Sequence, residues 1–218
     1  MSEKTYHLGP DEATSPSLPP PPPPSNTLWR RAVAYWKAPK SKNREYIETF
    51  VIAVSLALFV RATVAEARFI PSESMLPTLE VGDRLIVEKL TYLFAPIERG
   101  DIVVFTPPPR AMSNGNAFIK RVVGLPGETI DIRDGRVFID GRLLKEPYIL
   151  EAPRYPDPDW ERLGMPEGRI PSDAVFVMGD NRNNSQDSHV WGALPIRNVI
   201  GQTVFRFWPF PRLGPIAS

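Results

Sequence analysis

Short apolar runs separated by turn residues dominate the chain from residue 68 onward. Seven runs have the length and composition of β-strands, at residues 83–88, 101–105, 118–123, 128–133, 136–139, 174–178 and 202–208. Asp134-Gly135 lies between two of them and Asp140-Gly141 follows, and both pairs are typical of tight hairpin turns. The pattern predicts a mainly β, antiparallel body over residues 68–218.

A proline-rich stretch interrupts this pattern at residues 146–171. It follows neither the period of a strand nor that of a helix, so we interpret it as a small cap or excursion from the β body. Its widest boundaries are residues 133–173.

The longest apolar run lies at residues 46–67 and predicts a helix. Such a helix would be roughly 33 Å long, enough to cross a hydrocarbon layer of about 30 Å. Arg61 lies near its far end, where a long side chain can reach the headgroups. A single N-terminal transmembrane helix is therefore expected.

The basic segment at residues 29–45 sets the expected orientation. It carries Arg and Lys at 30, 31, 37, 40, 42 and 44. The positive-inside rule then places the N-terminus in the cytoplasm and the β body on the outer or lumenal side. Two alternatives stay open: a cleavable signal peptide ending at Ala65-Glu66-Ala67, and a buried helix of a soluble protein.

Residues 1–28 form a disordered, proline-rich tail in this interpretation. Six consecutive prolines, Pro19 to Pro24, favour an extended spacer. The tail is either an inert linker or a ligand for an SH3-like domain.

Composition narrows the chemistry. The 218 residues include no cysteine and two histidines, with a formal net charge of +1. Disulfides, thiolate zinc sites and a cysteine nucleophile are excluded. His7 lies in the tail, so a metal site or histidine-based triad would depend on His189 almost alone. We expect no metal, no organic cofactor and no nucleic-acid partner.

Two stretches point to acyl transfer by serine and lysine. Ser72 and Ser74 lie in a loop that Pro71 and Pro77 stiffen. Lys120 lies inside the apolar run at 118–123, on the same strand face as Phe118. An apolar surround lowers a lysine pKa, and a neutral lysine can act as a general base for a serine. Taken singly, each residue also fits an ordinary turn serine or surface lysine.

A dense polar loop follows the run at 174–178. It reads Gly-Asp-Asn-Arg-Asn-Asn-Ser-Gln-Asp-Ser-His at residues 179–189. Arg182 stands where a calcium loop needs a ligand, and the required glycine and terminal glutamate are absent. The sequence therefore argues against a calcium site.

Four blocks together resemble type I signal peptidases, membrane-bound serine proteases that remove signal peptides from exported proteins. They are Pro-Ser-Glu-Ser-Met-Leu-Pro-Thr-Leu at 71–79, Arg-Gly-Asp-Ile-Val-Val-Phe at 99–105, Ile-Lys-Arg-Val-Val-Gly-Leu-Pro-Gly-Glu at 119–128 and the loop at 179–188. The sequence around the serines is most similar to the cyanobacterial and plastid branch of this family. The chain has one expected membrane anchor, where some relatives have two. Similarity to this branch is compatible with a location in either the plasma membrane or the thylakoid membrane.

The resemblance implies roles for named residues. Ser74 is the expected nucleophile and Lys120 the general base. The Ser74 N–H and the Ser72 hydroxyl are expected to hold the oxyanion, and Ser185 to orient Lys120. The other implied residues are the loop-organising Asp180, Asp187 and Arg121, and the substrate-pocket residues Ile70, Met75, Leu79, Phe118 and Ile119.

Substrate is expected to bind as an extended strand, with small pockets at alternate positions selecting Ala-x-Ala. Two residues depart from the family pattern: Glu73, where a small residue is common, and His189, where many relatives have arginine. A carboxylate touching Lys120 would stabilise its charged form, so both aspartates are expected to pair elsewhere.

Three rival interpretations make different demands on the sequence. A β domain that only binds partners would not need Ser74. A Ser/His hydrolase would use His189. A self-cleaving repressor protease would need a DNA-binding helix-turn-helix, which residues 1–45 do not offer.

Overall fold

The computed structural model describes residues 42–113 and 115–216 of the chain. The predicted tail at 1–28 and most of the basic segment at 29–45 lie outside these residues. Contacts divide the chain into two units, Met1–Thr49 and Phe50–Ser218. Within the first unit, Arg44 and Glu48 form an i,i+4 ion pair at 2.9 Å. The second unit carries the β body.

The first helix, α1, runs from Lys42 to Thr63 instead of 46–67. The predicted helix end is wrong, because Ala65–Phe69 forms strand β1 and pairs along its whole length with β2, Arg84–Glu88. Glu66 fixes this strand through an ion pair with Lys89 at 2.8 Å. Over the residues that the structure covers, no helix has the length and apolarity of a membrane span.

Eight antiparallel strands form the main sheet, in the order β1-β2-β10-β3-β4-β8-β9 with β11 paired to β10. The remaining strands are β3 (Ile102–Phe105), β4 (Phe118–Gly124), β8 (Ala174–Met178), β9 (Leu194–Pro195), β10 (Val199–Trp208) and β11 (Gly214–Pro215). Two short helices, α2 (Thr91–Phe94) and α3 (Ser188–Trp191), connect them. The antiparallel β body expected from the sequence is present.

A second sheet has three strands, β5 (Ile130–Arg133), β6 (Arg136–Ile139) and β7 (Arg142–Leu143). Asp134 and Gly135 turn the first hairpin with φ of 50° and 67°, and Asp140 and Gly141 turn the second with 49° and 75°. Positive φ at both central residues defines the turn type that two-residue hairpins favour. The sequence prediction of these turns is confirmed.

Three apolar clusters fill the interior and meet at β4. Val122 packs in one with β3, β8 and Trp191; Val123 packs in a second with the smaller sheet; Ile119 packs in a third with β2 and the serine loop. Every β4 residue from Ile119 to Gly124 is buried as a result. A side chain on this strand is therefore held in place and cut off from water.

Residues 144–173 leave the sheet as a long connection between β7 and β8. Among the residues described there, the only helical segment is the single 3₁₀ turn Pro166–Gly168. Leu163, Met165 and Ile170 are nonetheless buried. The excursion is thus packed onto the β body, as its apolar residues require.

Candidate active site

Ser74 lies in the turn that joins β1 to β2, and its side chain is buried. Met75 and Leu79 anchor this turn because both are completely buried in the third cluster. Hydrogen bonds close its base, from Ile70 N to Asp83 O and from Gly82 N to Ile70 O, both at 2.9 Å. Ser74 is therefore carried on a rigid turn.

Lys120 reaches the same point from the centre of β4. Its Nζ is 2.8 Å from Ser74 Oγ, and it donates a second hydrogen bond of 2.9 Å to Ile119 O. Burial lowers the pKa of the Lys120 amine to about 8, although the charges of Asp187 and Asp180 act in the opposite direction. At pH 7 the amine is therefore neutral in about a tenth of the molecules, far more than for a lysine with an ordinary pKa.

Ser72 completes a polar cluster around Ser74. Its hydroxyl is 3.3 Å from Ser74 Oγ, and unlike Ser74 it is exposed. Within the described residues, the Ser74 N–H donates to no other backbone group. A hydroxyl and an N–H without a backbone acceptor thus lie beside Ser74 Oγ, and donors of this kind can stabilise an oxyanion.

Asp180 pairs with Arg121 and not with Lys120. The Arg121 guanidinium donates from Nε and Nη2 to the two carboxylate oxygens at 2.9 Å each, and both side chains are buried. Thr78 donates to the same carboxylate at 2.5 Å. Tyr148 covers the other side of Arg121, with its ring centroid 4.2 Å from Cζ. This network joins the serine loop, β4 and the polar loop.

Asp187 pairs with His189. The carboxylate accepts from His189 Nδ1 at 2.7 Å, from His189 N at 3.2 Å and from Gly179 N at 2.8 Å. Burial alone would raise the pKa of the Asp187 carboxyl, but the contacts with His189, helped by Ser185 and Gly179 N, outweigh it, and the pKa lies below its ordinary value. Tyr155 stacks on the imidazole with centroids 4.0 Å apart.

Ser185 does not make the hydrogen bond to Lys120 that was expected. Its hydroxyl is buried and forms no protein hydrogen bond of normal geometry, although it lies close enough to Asp187 to help lower that carboxyl's pKa. Lys120 instead uses its neighbour's carbonyl, Ile119 O. That carbonyl is an acceptor fixed by the strand, so it can hold the amine without Ser185.

Gly179 is the point at which the polar loop meets the serine loop. A Cβ at this position would lie 2.4 Å from Ser74 O and 2.3 Å from Ser185 Oγ. Two residues later, Asn181 N donates to Ser74 O at 3.1 Å. A residue without a side chain is therefore needed to bring the two loops together.

A cleft of about 580 Å³ opens beside Ser74 and Lys120. Phe118 and Ile119 line it, as expected for substrate-pocket residues. Ile70, Met75 and Leu79 do not line it, because their side chains pack into the third cluster with at most 2% exposure. The expectation that these three touch substrate is therefore wrong for this structure; they shape the site from behind.

Several residues that support the site were not singled out in the sequence. Arg182 forms a buried ion pair with Glu146, and Tyr148 donates to the same carboxylate at 3.1 Å. Thr78, Gly179 and Asn181 belong to the motif blocks, so those blocks contained a usable signal. Glu146, Tyr148 and Tyr155 lie in the excursion, where no period marks which residues turn inward.

Comparisons with known proteins agree on one family. The family model described as signal peptidase, peptidase S26, matches residues 43–208. A probable signal peptidase I-1 of Synechocystis is 52% identical over 179 residues, covering 80% of this chain and 87% of that protein. Signal peptidase I of Leptolyngbya laminosa is 55% identical over 177 residues, covering 79% and 83%.

A plant protein and a solved structure are also similar. A probable thylakoidal processing peptidase 2 of Arabidopsis thaliana is 44% identical over 168 residues, covering 75% of this chain and 44% of that protein. The crystal structure of a signal peptidase I from Enterococcus faecalis is 32% identical and covers 50% of this chain and 97% of its own, with a TM-score of 0.42. The chain therefore belongs to the signal peptidase family, peptidase S26, and is a serine endopeptidase of the signal peptidase I type.

Proposed function

We propose that the enzyme cleaves signal peptides from exported preproteins with Ser74 as nucleophile and Lys120 as general base. The observation that carries this is the 2.8 Å contact between Lys120 Nζ and Ser74 Oγ, inside a buried environment that lowers the lysine pKa to about 8. A serine becomes a nucleophile when such a base is within hydrogen-bond reach.

The first half of the reaction forms an acyl-enzyme. With the amine neutral, one N–H stays bound to Ile119 O while the lone pair takes the Ser74 proton. Ser74 Oγ then bonds to the scissile carbonyl carbon, and the oxygen becomes an anion near the Ser74 N–H and the Ser72 hydroxyl. When the C–N bond breaks, the Lys120 ammonium returns its proton to the leaving amine.

The second half releases the signal peptide. Water replaces the leaving amine beside Lys120, gives up a proton to the neutral amine and attacks the ester carbonyl. The same two oxyanion donors hold the charge. Collapse of the intermediate breaks the ester bond, and the lysine ammonium reprotonates Ser74 Oγ.

Substrate selection for Ala-x-Ala is part of the proposal. Phe118 and Ile119 both line the cleft near Lys120. In an extended substrate, successive side chains point in opposite directions. A substrate strand laid in the cleft would direct every second side chain against this apolar wall. Because Ile70 and Met75 fill the space behind this wall, pockets in it must be shallow. Shallow pockets favour small side chains.

His189 is a poorer base for Ser74 than Lys120. Its Nδ1 is bound to Asp187, and its ring is stacked on Tyr155. No hydrogen bond in the described part of the chain joins it to either serine. These contacts favour the serine–lysine mechanism over a serine–histidine one.

The direct test is cleavage of a preprotein by the purified, detergent-solubilised full chain, with the fragments identified by mass. Ser74→Ala should remove cleavage while its thermal unfolding stays close to that of the wild type. Ser72→Ala should lose about 10²–10³ in rate and stay measurable, because one oxyanion donor remains. If Ser74→Ala cleaved the preprotein at the wild-type rate, the proposed mechanism would be wrong.

We also infer that the enzyme works at a membrane, either plasma or thylakoid, with its N-terminus in the cytoplasm. Helix α1 leaves Phe50, Ile52, Leu56, Leu58 and Phe59 more than half exposed. Side chains of this kind are stable in lipid and costly in water. The cyanobacterial and thylakoidal relatives support the same location.

A further inference from the structure

Glu73 places a carboxylate on the rim of the cleft. It stands between Ser72 and Ser74, which both line the cleft, and its own side chain is exposed. Its Oε2 accepts a hydrogen bond of 3.3 Å from Asn184 Nδ2, and its carbonyl accepts one of 3.1 Å from Asn181 Nδ2. The carboxylate is thus directed toward Asn184, itself a residue of the cleft wall.

Within the described part of the chain, the Glu73 carboxylate is an unpaired negative charge beside the cleft. In residues 42–113 and 115–216, no cation forms an ion pair with Glu73. Glu151, which is hydrogen-bonded to the cleft residue Asn183, is in contrast paired with Arg154 at 3.2 Å. Lys120 is the ionisable side chain that lines the cleft, and it must be neutral to act.

The residues that line the cleft differ in character between two parts of the chain. Those of the serine loop and the start of β4 include apolar Pro71, Ala117 and Phe118, whereas those of the polar loop, residues 183–186, are all polar. The apolar part suits the small side chains before the scissile bond. The hydrogen bond from Asn184 holds the Glu73 carboxylate next to the polar loop. We place the substrate residues that follow the scissile bond on this side of the cleft.

We propose that Glu73 is a specificity-determining residue that favours preproteins with a basic side chain at the first or second position after the scissile bond and disfavours acidic ones there. This inference rests on the proposed signal-peptide cleavage. A neutral cleft edge would not discriminate by charge, whereas an unpaired carboxylate attracts Lys or Arg and repels Asp or Glu.

Sets of synthetic substrates test the proposal with the full-length enzyme in detergent. Each set shares one Ala-x-Ala segment and differs only in having Lys, Gln or Glu at the first or at the second position after the cut. A further set carries the same three residues at the x position. The quantity compared is the ratio of kcat/KM between lysine and glutamine substrates, which cancels any general change in activity.

The wild type should prefer lysine over glutamine by about two- to fivefold after the cut, with the preference shrinking in high salt. Glu73→Gln should bring the ratio to about one, because glutamine keeps an acceptor for Asn184 but has no charge. Glu73→Lys should invert it. Glu161→Gln, which removes an exposed charge outside the cleft, should keep the wild-type ratio.

The outcomes separate this inference from the proposed function. Equal ratios in wild type and Glu73→Gln, with every substrate still cleaved at the expected bond, would overturn the role of Glu73 alone. A ratio that falls equally in Glu161→Gln would also overturn it, because the effect would then come from net charge. Failure to cleave any substrate would instead contradict signal-peptide cleavage itself.

Discussion

The pKa of Lys120 is lowered by the position of its amine in the fold and not by a charged partner. Its amine is buried at the meeting point of three apolar clusters, and the two nearby carboxylates are engaged by Arg121 and His189. Either carboxylate, if free to turn toward Lys120, would raise the lysine pKa. Arg121 and His189 pair with these two aspartates, and the pairing keeps both carboxylates from raising the Lys120 pKa further.

The rate of cleavage should follow the titration of this amine. Because the base must be deprotonated and its pKa is about 8, kcat/KM should rise about tenfold per pH unit below that value and level off above it. Measurement between pH 6 and pH 10 in a constant-ionic-strength buffer checks this. A flat profile over that range would contradict a lysine base.

Lys120→Arg should be inactive although it keeps charge and length. A guanidinium stays protonated throughout the pH range of the enzyme, so it cannot accept the Ser74 proton. We expect at least a 10³-fold loss, by analogy with the removal of a catalytic base. Arg84→Lys, an exposed change of the same chemistry on β2, is the matched control and should stay active.

For single residues, the sequence predicted correctly which side chains lie together when a motif specified their chemical roles. Ser74 and Lys120 lie together, and Asp180 pairs with Arg121 as expected. It failed for Met75 and Leu79, because a motif tells which residues surround a serine but not which way each side chain points. The direction is set by the turn, which buries both of them completely.

The polar loop at 179–189 is stable as an element because it folds around one buried carboxylate. Asp187 binds Gly179 N at one end and caps α3 through His189 N at the other. The excursion holds this loop from outside, since Tyr155 stacks on His189 and Glu146 pairs with Arg182. A loop of eleven polar residues thereby becomes a rigid support for Ser74.

Asp187→Asn should lower stability and shift the pH profile in the same variant. Loss of the charged contacts to His189 should reduce the free energy of unfolding by about 2–4 kcal/mol at pH 7. Removal of the charge that raises the Lys120 pKa should move the activity profile to lower pH. Chemical denaturation and the rate profile measure the two effects.

The destabilisation should also depend on pH in a defined direction. The Asp187 pKa is lowered by folding, so its stabilisation is complete above its unfolded pKa and is lost as pH falls through the folded value. Wild type and variant should therefore differ most at neutral pH, and the difference should shrink progressively as the pH falls below about 4. Equal differences at pH 7 and pH 3 would show that the carboxylate's charge is not involved.

Element boundaries were predictable where local chemistry decides them. The Asp-Gly turns fix both hairpins of the smaller sheet, since few residues tolerate positive φ. Strand β1 was not predictable, because Ala65-Glu66-Ala67 suits a helix and becomes a strand only by pairing with β2. The two-residue strands β7, β9 and β11 are likewise defined by their partners and not by their own sequence.

For the whole molecule, the main prediction concerns the orientation of the chain in the membrane. Proteoliposomes with the enzyme inserted should expose the β body to added protease on one side while residues before α1 stay protected, as expected for a single crossing. An epitope at residue 2 and an antibody against the body report the two fragments. Digestion of both regions from the same side, or a mature chain starting at Arg68, would contradict this topology.

The position of β10 has a consequence for how the enzyme is made. In the main sheet β10 lies between β2 and β3, so it joins the half that carries Ser74 to the half that carries Lys120. A ribosome makes residues 199–208 after both Ser74 and Lys120, since synthesis runs from the N-terminus. We therefore expect proteolytic activity to appear only after this late strand has paired with both halves of the sheet, which a cleavage assay on ribosome-bound chains ending before and after residue 208 would measure.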